Sequence, residues 1–337
     1  MLYPEVLLFI NFVLGWFSNG LLIFLILRHS PKSMANYKYL MLIFAIFGVI
    51  FGAINITCQP LLHFHQSGYT IFSKNPLHLP RNLAFWYSAL DAACLGSTLC
   101  LLSFHFVYRF LTVCKPDFLW IFEIPHSIIP TVIFITVSAE WCLVTYLLAG
   151  ESPLKTEYFK NSIYSYYGVT ETEYAYIAVL FYRTDPSSGS EFLSLPDCAI
   201  VLNLFLIITA GFSVIFYCWY RIHHRLKRFN NLSSKTLEIQ TQLFRALVIQ
   251  TLFPVFFLFI PSGIIFLVSL FKIEPGPAEG VFLSLITTQP FIDAVIPMYF
   301  IKSYRSAIRT FFERTNGVES GTVWVSRTAE KTTVVTN

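Results

Sequence analysis

Long apolar stretches alternate with short polar segments along most of the chain. Seven of them approach or exceed the roughly 20 residues with which a helix crosses a hydrocarbon core of about 30 Å: 4–27, 39–62, 83–113, 125–149, 198–220, 243–271 and 279–301. Backbone groups in lipid must be hydrogen-bonded internally, and these stretches are longer than the strands of a membrane barrel. We therefore predict seven membrane-spanning helices, numbered spans one to seven, and expect the long third and sixth to tilt or protrude.

Composition indicates the same class of protein. Of the 337 residues, 55% are hydrophobic and 12% are charged, whereas soluble domains contain roughly 25% charged residues. The net charge of +4 is too small to indicate nucleic-acid binding. Seven cysteines lie in or beside apolar stretches without a CxxC pair, and we interpret them as free buried thiols. The predicted fold class is an all-α membrane protein, a seven-transmembrane helix bundle.

The distribution of lysine and arginine orients the predicted bundle. Seventeen of these residues lie in one set of segments: 28–38, 109–124, 221–245 and the tail from 302. Six lie in the other set: 63–82, 150–197 and 272–278. Because cytoplasmic loops carry the excess of positive charge, we expect the N-terminus outside and the C-terminus in the cytoplasm. The N-terminal sequence has no basic region and no cleavage site, so span one is expected to be retained as a signal anchor.

The longest predicted outer segment is 150–197. Its 48 residues include seven acidic side chains and seven tyrosines but no cysteine. Its apolar stretch Ala175–Tyr182 has only eight residues, which is too short to span a bilayer. Two interpretations stay open: the segment covers the mouth of the bundle, or it is a solvated and partly disordered loop.

Span three contains polar residues at helical spacing, and ionisable groups in a bilayer cost roughly 2.5–3.5 kcal/mol each. Steps of three and four residues place six side chains on one face of the helix: Asp91, Cys94, Thr98, Leu102, His105 and Arg109. We predict ligand contact by Asp91, Cys94, Thr98 and His105, and conformational control at the inner end by Arg109 and its neighbour Tyr108. The alternative is hydrogen bonding between helices for assembly alone.

Other polar or helix-breaking residues lie in later spans. Glu140 in span four is a further candidate ligand contact. In span seven, Asp293 precedes Pro297 by one turn, and the carbonyl that proline leaves free can be satisfied by polar groups. We predict that this weakened turn is a hinge and that both residues take part in activation and G-protein coupling. Pro254 and Pro261 in span six predict kinks through which its inner half can swing. Static kinks that only improve packing are the alternative.

The predicted cytoplasmic face combines basic and hydroxyl residues. Segment 221–245 has six basic residues and one acidic residue. The positive-inside rule alone explains this excess of positive charge. The more specific hypothesis is that Arg225, Lys227, Arg228 and Arg245 bind a cytoplasmic partner. The tail 302–337 is expected to be cytoplasmic and disordered in its distal, Ser/Thr-rich part. Its phosphorylation by a receptor kinase, with arrestin as a partner, is a hypothesis built on that composition.

Five short segments carry a resemblance to a known family: Tyr37–Met41 entering span two, Phe104–Phe110 closing span three, Cys114–Pro116 after it, Gln242–Thr251 entering span six and Pro297–Arg305 closing span seven. Together they resemble the nematode serpentine seven-transmembrane chemoreceptors of the Str type. The resemblance extends from about residue 15 to residue 312. Several separate segments in the same order make a chance match improbable.

The resemblance implies a G-protein-coupled receptor in the ciliary plasma membrane of chemosensory neurons, with odorants or pheromones as ligands. Three departures stand out. No acid precedes Arg109, where rhodopsin-like receptors have an acid-Arg-Tyr triplet. Span seven has Asp293-Ala294 where the family usually has Asp-Pro. The segment 150–197 has no cysteine for an outer disulfide to span three.

The resulting hypothesis is a two-state bundle for olfactory signal transduction. A small odorant or pheromone binds among spans three, five, six and seven. The inner part of span six then moves away from Arg109 and admits the α subunit of a heterotrimeric G protein, with Tyr304 and Arg305 among the coupling residues. Catalytic, metal and cofactor motifs were not found in the sequence, so we expect no enzyme and no cofactor. The alternatives are a seven-span ligand-gated ion channel, a membrane transporter, or a receptor that no longer signals.

Overall fold

A computed structural model describes residues 3–31, 34, 36–185, 188–227, 234–273 and 279–315. Among these residues, six helical segments are long and apolar enough to cross a membrane. They correspond to spans one to six: α1 (Tyr3–His29), α2 (Tyr37–Cys58), α3 (Arg81–Cys114), α4 (Ile128–Leu148), α6 (Leu195–Lys227) and α7–α8 (Ser234–Pro254 and Ile260–Leu270). Span seven consists of two consecutive shorter helices, α9 (Glu279–Thr287) and α10 (Gln289–Phe300). The seven predicted stretches are therefore all helical.

The end of α2 differs from its prediction. The helix ends at Cys58 instead of near residue 62. Gln59 adopts a left-handed conformation with φ of 49°, and its N–H donates to the Asn55 carbonyl, a common way to end a helix. Pro60 follows and has no N–H with which to continue the ladder. The chain then turns back as strand β1 (Leu61–His65).

Strands and a short helix cover this end of the bundle, an addition to the predicted all-α architecture. Strand β1 pairs antiparallel with β2 (Gly68–Ser73), and β2 pairs antiparallel with β3 (Ala175–Leu180). Helix α5 (Pro153–Tyr167) packs on the sheet. All six residues of β3 are buried. Segment 150–197 therefore covers the mouth of the bundle, in agreement with the first of the two interpretations. We call α5 with β1–β3 the cap, and this end of the bundle the cap end.

A buried ion pair fastens the cap to the bundle. Lys155 Nζ in α5 lies 2.8 Å from Asp197 Oδ1 at the start of α6, and both side chains are almost fully buried. The same Nζ donates to the carbonyls of Leu148 at 2.9 Å and Ala178 at 2.8 Å. Arg183 donates to the second Asp197 oxygen at 2.9 Å. Burial lowers the pKa of Lys155, and the Asp197 carboxylate opposes that shift. One cation thus joins α4, α5, β3 and α6.

Helix α3 lies at the centre of the bundle. It packs against α2, α4, α6 and α7, and more than half of its residues are buried. The helices around it leave large apolar side chains exposed, such as Phe17, Leu27, Leu147, Leu206 and Phe216. Apolar exposure of this kind is stable in lipid and costly in water. The predicted membrane location thus agrees with the distribution of apolar surface.

We call the other end of the bundle, where α3 and α6 end and α7 begins, the basic end. Residues Val255–Phe259 form a π-helical segment between α7 and α8, so span six is interrupted between its two prolines. After α10 the chain continues as α11 (Lys302–Thr315), a helix with a strongly one-sided apolar face. The first part of the predicted tail is therefore helical. The residues from 316 onward, on which the disorder and phosphorylation hypotheses rest, lie outside the described residues.

The buried ion pair generates a first test. Lys155→Met is expected to destabilise the protein by about 3–5 kcal/mol, because it removes one partner of a buried pair and leaves Asp197 undercompensated. Thermal unfolding of the purified protein and hydrogen exchange of the β3 amides measure the loss. Lys160→Met is the matched control, since its pair with Glu157 is solvent-accessible and exposed pairs contribute little. Similar melting temperatures for the two variants would contradict the role of Lys155.

Candidate functional site

A cavity of about 110 Å³ lies beneath the cap. Its walls come from β2, β3, α3, α4, α6, α9 and the interrupted span six. The lining residues are Tyr69, Ile71, Ala92, Leu95, Trp141, Thr145, Ala149, Ile177, Ala178, Val179, Ile200, Leu204, Ile208, Leu258, Phe259, Ser262, Ile265, Phe266 and Ile286. Spans three to seven and the cap all contribute.

The packing of Trp141 against α3 shapes one wall. Gly96 faces this indole so closely that a Cβ added there would lie 2.7 Å from its Cδ2 atom. Without a side chain at position 96, the Trp141 ring packs directly against the backbone of α3. Ala92, one turn earlier on α3, lines the cavity. Small residues on α3 therefore leave room for both the indole and the cavity.

The lining is apolar and carries no charged residue. Three of its side chains have hydroxyl groups: Tyr69, Thr145 and Ser262. The Ser262 hydroxyl donates to the Leu258 carbonyl in its own helix at 2.7 Å. The Thr145 oxygen is buried and has no hydrogen-bond partner among the described residues. Such a lining favours a neutral and mostly apolar occupant.

The five predicted ligand contacts do not line this cavity. Asn55 Nδ2 in α2 donates to Asp91 Oδ1 at 3.2 Å, and both residues are buried. The Thr98 hydroxyl donates to the Cys94 carbonyl within α3 at 2.8 Å. The cavity is lined instead by Ala92 and Leu95, one position further round the helix. Residues at successive positions on a helix point about 100° apart, so the polar face and the cavity face of α3 are different.

The remaining two candidates also contact neighbouring helices. His105 Nδ1 lies 3.0 Å from the Tyr37 hydroxyl of α2, and its ring packs edge-on against Phe44 with centroids 5.1 Å apart. Asn203 Nδ2 in α6 donates to Glu140 Oε1 in α4 at 2.7 Å. In this structure these polar side chains join helices in pairs, which is the alternative considered for the stripe on span three.

A second site surrounds Arg109, which is 2% exposed at the basic end of α3. Its Nη2 donates to the Gln240 backbone carbonyl in α7 at 3.2 Å and to the Gln240 side-chain Oε1. The guanidinium lies over the Tyr37 ring, 5.1 Å from its centroid. Among the described carboxylates none forms an ion pair with Arg109. A neutral amide therefore holds the arginine against span six, at the place where the sequence lacks the acid-Arg-Tyr triplet.

Span seven contacts span six through a carbonyl that proline leaves free. Pro297 has no N–H for the Asp293 carbonyl four residues earlier. Gln250 Nε2 in α7 donates to that carbonyl at 2.8 Å, which is the compensation expected from the sequence. The nearby Tyr304 side chain is fully buried, and its hydroxyl lies 2.7 Å from Ser30 Oγ. Tyr108 is buried against Tyr37, with ring centroids 5.4 Å apart.

The predicted basic contacts lie at the same end of the bundle as Arg109. Arg225, Lys227, Arg245 and Arg305 are exposed. Arg305 Nη1 donates to the Tyr299 carbonyl at 3.0 Å. Arg228 lies outside the described residues. The exposed set adds positive charge to the surface at this end of the bundle.

Several residues of both sites were not predicted. Trp141 and Thr145 carry no sequence signal that separates them from ordinary residues of an apolar span. Gln240 lies in segment 221–245, which was interpreted only through its basic residues. Helical periodicity, which places Gln240 on the face of span six toward Arg109, is the signal that could have identified it. The pair of Lys155 and Asp197 is separated by 42 positions, and nothing in a single sequence links the two.

Comparisons with known proteins agree with this architecture. The family described as "Serpentine type 7TM GPCR chemoreceptor Str" matches residues 5–309. "Serpentine receptor class r-10" of Caenorhabditis briggsae is 27% identical over 305 residues, covering 90% of this chain and 88% of the relative. "G-protein coupled receptor str-33" of Caenorhabditis elegans is 22% identical over 304 residues, covering 89% and 88%.

A solved structure shows the fold independently of these sequences. Squid rhodopsin superposes with a TM-score of 0.60 at 12% identity, covering 92% of this chain and 80% of that protein. At this identity the match shows the seven-helix bundle alone.

The packing of Gly96 generates a second test. Gly96→Ala is expected to push the Trp141 indole toward the cavity and to cost about 1–3 kcal/mol of stability, as overpacking does. Thermal unfolding of the purified protein measures the cost. Gly20→Ala is the control, because a Cβ at that position meets no atom within 4 Å and alanine is the better helix former. A Gly96→Ala variant as stable as Gly20→Ala would show that the ring does not depend on this glycine.

Proposed function

Because the chain belongs to the Str family of serpentine seven-transmembrane chemoreceptors, we propose that it binds a small odorant or pheromone in the cavity beneath the cap and activates a heterotrimeric G protein. The family consists of G-protein-coupled receptors, so the protein is a multi-pass membrane receptor and not an enzyme. The single observation that carries the proposal is the interrupted span six, which lines the cavity with Leu258 and Phe259 and holds Arg109 through Gln240.

The π-helical segment gives the two ends of span six a physical connection. Leu258 and Phe259 belong to that segment and line the cavity. π-Helical turns with prolines on either side are weak points at which a helix bends. A ligand that packs against these residues favours one bend angle over another. The helix below then rotates or swings, and Gln240 moves with it.

Release of Arg109 is the step proposed at the basic end. When Gln240 leaves, the guanidinium loses its hydrogen-bond acceptors and a cleft opens between α3 and α7. The exposed side chains of Arg225, Lys227 and Arg245 lie at the same end of the bundle and attract the Gα subunit. A shift from 1:99 to 99:1 between the two states requires about 5.5 kcal/mol of differential ligand affinity. A cavity that closes tightly around its ligand provides the contacts for such selectivity.

The polar residues first predicted as ligand contacts receive a different role in this proposal. Asp91 in α3 bonds to α2, Thr98 bonds to the Cys94 carbonyl within α3, and Glu140 joins α4 to α6. We assign them, with His105, to the alignment of helices around the cavity. Asp293 and Pro297 keep the role predicted for them, since their freed carbonyl couples spans six and seven.

The proposed orientation places the cap outside the cell and the basic end in the cytoplasm. The support is the excess of lysine and arginine in the segments at the basic end. A plasma-membrane location in sensory cilia and a role in olfaction follow from the resemblance to the Str family. Receptor kinase and arrestin are proposed partners of the tail.

Reconstitution tests the proposed function. The purified protein in nanodiscs with a Gα subunit and Gβγ is expected to accelerate GTPγS binding when an active member of an odorant panel is added. Arg109→Ala should abolish that acceleration while leaving ligand affinity within a few fold. A ligand-dependent current in planar bilayers without G protein would favour a channel, and ligand uptake into liposomes would favour a transporter.

The amide contact to Arg109 generates a third test. Gln240→Ala removes the acceptors provided by the side chain and is expected to raise nucleotide exchange without ligand several-fold. Gln240→Glu places a carboxylate at the same position and is expected to lower it, because an ion pair adds charge attraction to the hydrogen bond with the guanidinium. GTPγS binding without ligand measures both. If both variants changed the rate of nucleotide exchange in the same direction, the bond between Gln240 and Arg109 would not hold the inactive state.

The orientation generates a fourth test. An epitope tag before residue 1 is expected to bind its antibody on intact cells, whereas a tag after residue 337 should require permeabilisation. Immunofluorescence of the two tagged proteins at matched expression compares them directly. An N-terminal tag that stains only after permeabilisation would show the opposite orientation of the bundle and contradict the G-protein proposal.

A further inference from the structure

An exposed apolar hairpin lies at the cap end of the bundle. Strands β4 (Tyr182–Thr184) and β5 (Glu191–Leu193) pair antiparallel. Phe192 in β5 is 51% exposed and Leu193 is 43% exposed, and Leu195 at the start of α6 is 77% exposed. Three large apolar side chains close together in the chain are therefore exposed on this part of the surface.

The hairpin is joined to the two spans beside it. Arg183 in β4 donates to Asp197 of α6 at 2.9 Å. Glu191 in β5 forms an ion pair with Lys272, the second residue after α8. The Lys272 ammonium also lies over the Tyr182 ring, 4.9 Å from its centroid. These contacts hold the hairpin against the ends of spans five and six.

The exposed apolar side chains of the hairpin continue the exposed face of span five. Leu195 is followed at steps of four, three and four residues by Ala199, Leu202 and Leu206, all of them exposed. Residues at this spacing lie on one face of a helix. In a helix that crosses a membrane, an exposed apolar face is the face that contacts the acyl chains. The hairpin thus lies at the end of a lipid-facing stripe.

Span six has a lipid-facing stripe that ends at the same place. Ile260, Ile264 and Leu267 are exposed at helical spacing in α8, and Phe271, directly after the helix, is 68% exposed. The next residue is Lys272, which contacts the hairpin. The lipid-facing surfaces of spans five and six therefore both lead to the β4–β5 hairpin.

The length of α6 sets the depth of the hairpin in the membrane. Arg221 is the first charged residue of α6 after Asp197 and follows Leu195 by 26 positions. At the rise of an α-helix this separation is about 39 Å, whereas the hydrocarbon core is roughly 30 Å thick and the whole bilayer about 40–45 Å. With Arg221 among the headgroups at the basic end, Leu195 and the hairpin lie among the headgroups of the opposite leaflet.

We propose that the β4–β5 hairpin binds the lipid surface at the cap end, with Phe192, Leu193 and Leu195 against the outer ends of the acyl chains. Lys272 and Glu191 supply charges beside them, and charged side chains at this depth extend into the headgroup layer. Since β4 follows β3 almost directly, the hairpin anchors the cap to the bilayer. This contact requires the membrane location of the protein and neither a ligand nor a G protein.

Collision measurements on spin labels test the contact. The purified full chain in phosphatidylcholine nanodiscs carries one label, introduced as a non-cysteine amino acid because the native thiols are free. The label replaces Phe192, Leu202 in the lipid-facing stripe, or Asn161, an exposed residue of α5. Oxygen concentrates in lipid, and a water-soluble nickel chelate is excluded from it. The ratio of oxygen to nickel collisions at position 192 is expected to exceed that at position 161 several-fold and to approach that at position 202.

A charged substitution shows whether the apolar side chains hold the hairpin in lipid. With the label at position 192, Leu193→Asp is expected to lower the ratio of oxygen to nickel collisions several-fold, because a carboxylate is costly beside acyl chains. Ser190→Asp is the matched control, since it adds the same charge at an exposed polar position next to β5 and should leave the ratio unchanged. Melting temperatures of both variants verify that they fold.

Three results would overturn the inference. A ratio at position 192 equal to that at position 161 would place the hairpin in water. A ratio that Leu193→Asp leaves unchanged would show that apolar contact does not hold the hairpin. Low collision rates with both reagents would show that protein covers this surface, and in discs that hold two receptors they would assign it to a second copy of the chain. Nucleotide exchange on Gα enters none of these measurements, so their outcome is separate from that of the proposed function.

Discussion

The constraint on which this structure depends is that lipid offers no hydrogen-bond partner to a polar group. Several polar groups inside the bundle therefore find a partner on another helix. The Asp293 carbonyl, released by Pro297, accepts from Gln250, and Asn19 Nδ2 donates to the Pro290 carbonyl at 2.8 Å. Arg109, a charged group that is costly to bury, donates from Nη2 to Gln240 and lies over the Tyr37 ring. Because such contacts are few, each determines how two helices lie against each other, and each can change when a helix moves.

The two ends of the bundle are held by different chemistry. At the cap end, Lys155 and Asp197 form a buried ion pair with additional hydrogen bonds, which fixes the sheet over the cavity without a disulfide. At the basic end, a neutral amide holds Arg109, and a neutral acceptor is easier to replace than a buried carboxylate. A rigid cap and a releasable inner contact suit a receptor in which the ligand site stays ordered while the cytoplasmic face opens. Span six, interrupted between Pro254 and Pro261, connects the two.

Much of the fold follows from local sequence, whereas the site depends on long-range contacts. Apolar length predicted seven helices, and the prolines predicted where span six is interrupted and why the Asp293 carbonyl needs a donor. The cap sheet was not predicted, because the pairing of β2 with β3 joins segments more than 100 residues apart. The polar stripe on span three was recognised correctly as one helix face. The packing of α3 determines which helix its polar face contacts, and a single sequence does not show that packing. The cavity is lined not by this polar face but by Ala92 and Leu95, one position further along α3.

The most direct test of the central claim is the distance between the basic ends of α3 and α7. Spin labels at Val113 and Glu238, introduced as non-cysteine amino acids because the seven native thiols are free, report it by pulsed electron resonance. The receptor alone should show one short distance, and nucleotide-free G protein should add a longer one whose population grows with ligand. A single unchanged distance in a sample that catalyses nucleotide exchange would contradict the release of Arg109 by span six.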